Sequence, residues 1–287
     1  MAFKTILLPI RESSTGAALM ETAISMAVRN EGHLDLLYVA SEPEHMIPFS
    51  TMGLSANMRK TIIESATANA EQQGEELKQA FLALCDRYKV KVQTRSADHN
   101  GASADFLLRT GKRDDLIGRY GRLADLIIVP QPIKVAPPPS SFEAALRESG
   151  RPVLMVQREK VLEAPGKRLA IGWNSSKEAA QAISAMLGNL KRADKVFVLT
   201  SEKRMQQPIN ADDVCVYLGC HGISAETATF TTENQSAGEA LLAKAHEMDC
   251  DRLIVGGYSR PKIRDIIMGS VTGHLLAHAD MPVIFVH

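Results

Sequence analysis

Three short apolar runs recur in the same order along the 287 residues, and this internal repeat constrains the fold more than any other feature. Lys4-Thr-Ile-Leu-Leu-Pro-Ile10 corresponds to Lys167-Arg-Leu-Ala-Ile-Gly-Trp173. Ala124-Asp-Leu-Ile-Ile-Val129 corresponds to Cys250-Asp-Arg-Leu-Ile-Val255, and Arg151-Pro-Val-Leu-Met-Val156 to Met281-Pro-Val-Ile-Phe-Val286. The first half carries extra sequence between its first and second runs. The chain therefore reads as two copies of one plan, residues 1–158 and 167–287. The charged stretch Glu159 to Gly166, with Pro165, reads as the linker.

Between the runs lie helical patterns. Ala18, Leu19, Thr22, Ala23 and Met26 follow a 3.6-residue spacing behind Ser13, Ser14 and Thr15, which are N-cap residue types. In the second half Ser175 or Ser176 is the cap, and Ala179, Ala182, Ile183 and Met186 form the stripe. A long helix is expected over Arg59 to Arg87, and shorter ones over Asp212–Cys220, Ser236–Met248 and Val271–Ala279. Strands are expected at Phe3–Ile10, Leu34–Ala40, Val90–Ser96, Leu126–Val129 and Val153–Val156. Their counterparts are Leu169–Trp173, Val196–Thr200, Ala225–Phe230, Leu253–Val255 and Val283–Val286. Most are continuously apolar, which suits strands covered on both faces. Strand alternating with helix predicts an α/β fold: two tandem doubly wound domains, each a five-stranded parallel sheet flanked by helices.

Bulk charge excludes some partners. Lys plus Arg and Asp plus Glu number 33 each. A balanced chain lacks the positive surplus of a nucleic-acid wrapper or a polybasic membrane binder. No apolar run approaches the ~20 residues that span a bilayer, and the start of the chain lacks the shape of a secretory signal. A cytoplasmic protein is expected, with Cys85, Cys215, Cys220 and Cys250 as free thiols.

In open parallel sheets a ligand sits outside the carboxyl ends of the strands, where strand order reverses. In the second half those positions are the turn Trp173-Asn-Ser-Ser176, the stretch after Val198, and Gly256-Gly-Tyr-Ser-Arg-Pro-Lys-Ile-Arg-Asp-Ile-Ile-Met-Gly-Ser270. Gly269 and Ser270 precede a helical pattern, so backbone N–H groups and the helix dipole would face an anion, with Arg260, Lys262 and Arg264 nearby. Neither GxxxxGK[ST] nor GxGxxG is present. Spacing alone thus fits both a phosphate-binding loop and a plain strand-to-helix connection.

The pattern Gly256-x-x-Ser259, nine residues, Gly269-Ser270 resembles the nucleotide motif of the universal stress protein family, in which the fourth position is glycine. The closing Pro-Val strand of each half resembles that family's last strand, and two such halves resemble its tandem type. The resemblance implies that the halves pack through their last strands, as an intramolecular pseudo-dimer. It implies a stress-response protein, with some members binding ATP, with or without Mg²⁺, and others acting through protein contacts without a nucleotide. Carried over residue by residue, it implies a site formed by Trp173, Asn174, Thr200, Val255, Gly256, Ser259, Gly269, Ser270 and Val271. Asn174 replaces the family's aspartate, and Ser259 its second glycine. In the first half Arg11 stands at the aspartate position, and Pro130-Gln-Pro-Ile-Lys-Val-Ala-Pro-Pro-Pro-Ser140 holds no glycine. Proline offers no N–H to an anion, so nucleotide binding is expected in the second half only.

Other constellations carry plainer readings. His274 and His278 are one helical turn apart, but no glutamate completes HExxH, and no metal is expected. Cys215, Cys220 and His221 lack a completing ligand pair. Ser13-Ser14 and Ser175-Ser176 read as caps, not nucleophiles. Asp265 is the only acid inside the glycine motif, so at most a slow ATPase is expected and no catalytic residue is assigned. Met46, Ile47, Phe49, Met52 and Leu54 make an apolar loop that is either a contact surface or folded over the core.

Overall fold

The computed structural model describes residues 3–11, 16–40, 56–98, 100–133, 140–162, 164–257 and 270–287. The cap candidates Ser13 to Thr15, the apolar loop Met46–Leu54, most of the proline-rich run, Ser259, Asp265 and Gly269 lie outside these residues.

Two compact units emerge, one formed by Phe3–Ile128 with Arg158–Val161, the other by Val129–Gln157 with Leu162–His287. The first holds β1 (Thr5–Ile10), α1 (Ala17–Asn30), β2 (His33–Ala40), α2 (Ala56–Arg87), β3 (Lys91–Val92), β4 (Ser103–Thr110), α3 (Arg113–Gly121) and most of β5 (Leu126–Pro130). Its strand order is β3-β4-β2-β1-β5, with parallel pairing between β1 and β2, β2 and β4, and β1 and β5. The continuous apolar runs are buried as their composition requires: Ile6, Leu7 and Leu8 of β1 and Leu34, Leu36 and Leu37 of β2 are inaccessible to solvent. Leu19, Met20, Ala23, Ile24 and Met26 of α1 pack inward.

The second unit holds α4 (Ser140–Glu143, continued by one π-type turn, Ala144–Glu148), β6 (Val153–Val156), β7 (Arg168–Gly172), α5 (Lys177–Leu190), β8 (Lys195–Ser201), α6 (Ala211–Cys220), β9 (Glu226–Phe230), α7 (Ala237–Glu247), β10 (Arg252–Gly256), α8 (Ser270–His278) and β11 (Val283–Val286). Strand order is β6-β11-β10-β7-β8-β9. All pairings are parallel except β11 with β6, which is antiparallel, Ile284 facing Leu154. The closing strands of the two sequence halves therefore hydrogen-bond to each other. The predicted stripe Ala179, Ala182, Ile183 and Met186 is buried.

The expected strand over Val90–Ser96 is only two residues long, and β2 pairs instead with β4, which the apolar-run criterion misses. Asp105, Arg109 and Thr110 interrupt its apolar pattern, and its last three residues are exposed. Helix α3 also escapes that reading: Arg113-Asp-Asp leads it, and only Ile117, Gly118 and Gly121 are buried.

A polar row fixes β2 against β4. His33 Nδ1 lies 2.6 Å from Ser103 Oγ, and its Nε2 lies 3.1 Å from Asp35 Oδ1. His33 and Ser103 are register partners, and Arg95 reaches to 3.7 Å from Asp35. Serine, histidine and aspartate here have the composition of a hydrolytic triad. All three are buried at the amino ends of their strands, so the row serves strand pairing, since a one-residue slip would separate these groups.

Candidate functional site

Strand β7 ends at Gly172, but the chain stays in the ladder for one more residue, with Trp173 N–H donating to Leu199 O at 2.8 Å. It then turns sharply. Asn174 Oδ1 accepts from Ser176 N–H at 3.1 Å, an Asx turn. Ser175 takes φ of 60° and donates its hydroxyl to Ile209 O. Ser176 caps α5 by accepting from Ala179 N–H at 3.2 Å. Trp173 is buried, with its indole N–H directed to Ile209 O at 3.4 Å.

Strands β10, β7 and β8 are neighbours, so the carboxyl ends that carry Gly256, Asn174 and Thr200 lie side by side. From β7 the chain proceeds to β8 and β9 on one side and returns to β10 on the other. The order reverses between β7 and β10, the position where ligands of open α/β sheets bind. Thr200 is fully buried, and its hydroxyl donates to Trp173 O at 3.0 Å. Val255 is buried in the sheet. Ser270 and Val271 open α8, and the Val271 side chain is half-buried.

Gly256 has a packing reason of its own. A Cβ there would come within 2.6 Å of Ala179 N and 2.7 Å of Glu178 C, so the first turn of α5 occupies the space a side chain would need. The sequence reading treats this glycine only as a phosphate-loop residue. It also misses two charged neighbours. Glu178 is 3% exposed, with Lys177 Nζ 3.6 Å from its carboxylate. An acid in a first helical turn is ordinary dipole chemistry, so nothing in the sequence marks it as buried. Arg204 closes a short 3₁₀ turn after β8, Glu202–Arg204, and donates to Asn174 O at 2.6 Å. Its position just past a central strand is the one signal that could have marked it.

In the first half Arg11 is exposed after β1. Pro130 ends β5 where Gly256 ends β10, and Ser140 begins α4. On α8 the His274 and His278 rings lie 4.6 Å apart, and burial, then His278, hold the His274 pKa below its usual value. Among the described residues no three His, Cys, Asp or Glu side chains gather as a metal site. No helix among them is long and apolar enough to cross a membrane.

Fold and strand-end geometry together define a tandem, doubly wound α/β protein whose second half keeps the turn-and-helix arrangement of a ligand crevice. Residues 176–287 match the sequence model of the universal stress protein family. That match lies in the second half of the chain, and the whole chain shares its fold with two-domain structures. A universal stress protein from Archaeoglobus fulgidus is similar over 100% of this chain and 99% of its own, with 16% identity and a TM-score of 0.69. A functionally unknown protein from Pseudomonas aeruginosa PAO1 is similar over 99% and 92%, with 16% identity and a TM-score of 0.56. At such identities the likeness is one of fold. No curated protein matches the chain.

Proposed function

We propose that the chain is a stress-response regulatory protein that binds ATP or a related adenine nucleotide, with or without Mg²⁺, in its C-terminal half only. The observation that carries this reading is the meeting of Asn174, Thr200 and Gly256 at the ends of three adjacent parallel strands, at the point where strand order reverses. The residues present suit the nucleoside part of such a ligand. The Asn174 amide engages Ser176 through its oxygen, which leaves its N–H₂ as a donor. Arg204 brings a guanidinium to the same turn, suited to a phosphate. Ser270 opens α8, whose amino end would favour an anion. The first half offers Arg11 and Pro130 in place of Asn174 and Gly256.

A second reading, a nucleotide-independent scaffold acting through protein contacts, has its own support. Thr200 spends its hydroxyl on Trp173 O, and α5 fills the space beside Gly256.

Protein purified without added nucleotide, denatured and analysed by anion exchange, then titrated calorimetrically with Mg-ATP, separates the two. About one nucleotide per chain, lost in Gly269→Val and retained in Ser140→Val, supports the nucleotide reading. Equal loss in both variants contradicts a single site in the second half. No released nucleotide and no heat at millimolar ATP favour the scaffold.

A further inference from the structure

The first unit holds a pocket of about 450 Å³ that the nucleotide reading does not use. It lies under the middle of α2, at the carboxyl ends of β2 and β4, and it has a simple origin. Leu77, Phe81 and Cys85 seat the last turns of α2 on the sheet. One to three turns earlier the same face presents Thr67, Ala70 and Gly74, opposite Ala40 at the end of β2. These side chains are too small to fill the gap. A Cβ at Gly74 would come within 3.1 Å of the Tyr38 ring, a tight contact, and that ring passes beneath the helix to donate its hydroxyl to Ala70 O at 3.1 Å.

The floor is apolar. Phe106 and Leu108 alternate on the face of β4 that looks toward α2. Leu108 is 54% exposed, although a strand side chain beneath a helix is ordinarily covered. The rim is charged, with Glu71, Glu75 and Lys78 on α2. Glu75 accepts a bond from Gln79. Among the described residues the rim thus sets two carboxylates against one ammonium, and their net field favours a cation. Packed interiors leave few voids larger than a water molecule, whereas small-molecule sites span ~300–1,000 Å³ with apolar walls and a few polar groups.

From this pocket we infer that the first half binds a small organic cation with an apolar body, its body on Phe106 and Leu108 and its charge at Glu71 and Glu75. Binding here is independent of the second half and needs no nucleotide.

The test uses the full chain and 2-phenylethylamine as probe, with 3-phenylpropanoate as the anion of matching shape, followed by amide NMR and calorimetry. The amine is expected to saturate below about 10 mM and to shift amides of α2 between 67 and 78 and of β4 between 106 and 110. Ala70→Phe, which fills the pocket, should abolish these shifts. Leu108→Gln, at an exposed position the fold tolerates, should weaken them. Glu71→Gln removes one exposed charge pairing and should weaken binding about two- to fivefold. Retained folding of each variant is read from the unchanged remainder of its spectrum. Three outcomes overturn the inference: the carboxylate binding as tightly as the amine, no shift in β4 at about 10 mM amine, or undiminished binding by folded Leu108→Gln.

Discussion

Gly256→Ala separates two reasons for having glycine at the end of β10. If the residue is there for packing, the substitution damages the fold whether or not a ligand is present. The added Cβ would lie 2.6 Å from Ala179 N and 2.7 Å from Glu178 C. Both are backbone atoms of a capped first turn, so a side-chain rotation cannot relieve the overlap, and α5 must move. Overpacking of this kind costs ~1–3 kcal/mol, and the ~0.5–1 kcal/mol gained by restricting the unfolded chain offsets only part. A net loss of about 1–2 kcal/mol is expected. The chain has a single tryptophan, Trp173, buried beside this site. Its fluorescence in urea therefore reports unfolding of the second half. With a slope of ~1–2 kcal/mol/M, the midpoint should fall by roughly 0.5–2 M. Gly219→Ala is the control: a Cβ there meets nothing within 4 Å, and on α6 it should stabilise by a few tenths of a kcal/mol up to ~1. An unchanged midpoint for Gly256→Ala, with a loss confined to nucleotide binding, would refute the packing argument.

Three further outcomes are expected. Burial pushes the Cys85 and Cys250 thiols up to about 11; thiols of the unfolded chain ionise near 9, so stability is full below pH 9 and falls as pH rises toward 11. Replacing both by alanine should flatten that part of a stability-against-pH curve, and thiol labelling at pH 8 should modify exposed Cys220 first. His33→Leu takes one hydrogen-bond partner each from buried Ser103 and Asp35 and should cost ~2–4 kcal/mol in a circular dichroism melt; a loss under about 0.5 kcal/mol would show the row to be dispensable. Asp125→Ala and Asp251→Ala each withdraw one carboxylate oxygen from two backbone N–H donors. Both should speed hydrogen exchange at the start of the first strand of their own half, β1 or β7, and protection unchanged in either would count against a shared device.

What the sequence made legible follows from where side chains are buried on both faces. The runs ending at Ile10, Val129, Trp173, Val255 and Val286 needed no periodicity argument, because central strands between two helical layers admit only apolar residues. The stripe of α5 was equally plain. Strand β4 was not, since Asp105 interrupts its apolar pattern and its carboxyl end, beyond the two-residue β3, carries Arg109 and Thr110 into solvent. Topology pointed to the turn at Trp173–Ser176, the stretch after Val198 and the loop after Val255, and the family resemblance singled out Asn174, Thr200 and Gly256 there. Arg204 had only its position just past a central strand to mark it, because a hydrogen bond from a loop arginine to a main-chain oxygen leaves no periodic trace. The packing role of Gly256 was not legible, because glycine required by a neighbouring helix looks the same in sequence as glycine required by a phosphate.

The two halves differ at one edge of the sheet and agree at the other. At the amino ends of the strands, Asp125 Oδ2 accepts from Lys4 and Thr5 N–H at 2.7 and 2.9 Å, and Asp251 Oδ2 accepts from Lys167 and Arg168 N–H at 2.8 and 3.1 Å. The return bonds also match: Asp125 N–H donates to Thr5 O, and Asp251 N–H to Arg168 O. One carboxylate thus ties the first strand of each half to its neighbour in the same way. At the carboxyl ends, Arg11 stands against Asn174 and Pro130 against Gly256. Proline removes an N–H, and arginine replaces a compact amide with a long cation. Such changes leave the sheet intact, because the carboxyl edge contributes loops rather than ladder bonds. A device that stabilises strands is needed in both copies, whereas one crevice suffices for one ligand. On the proposed reading the divergence falls on the edge where open α/β sheets bind their ligands, and the first half has the space beneath α2 to use instead.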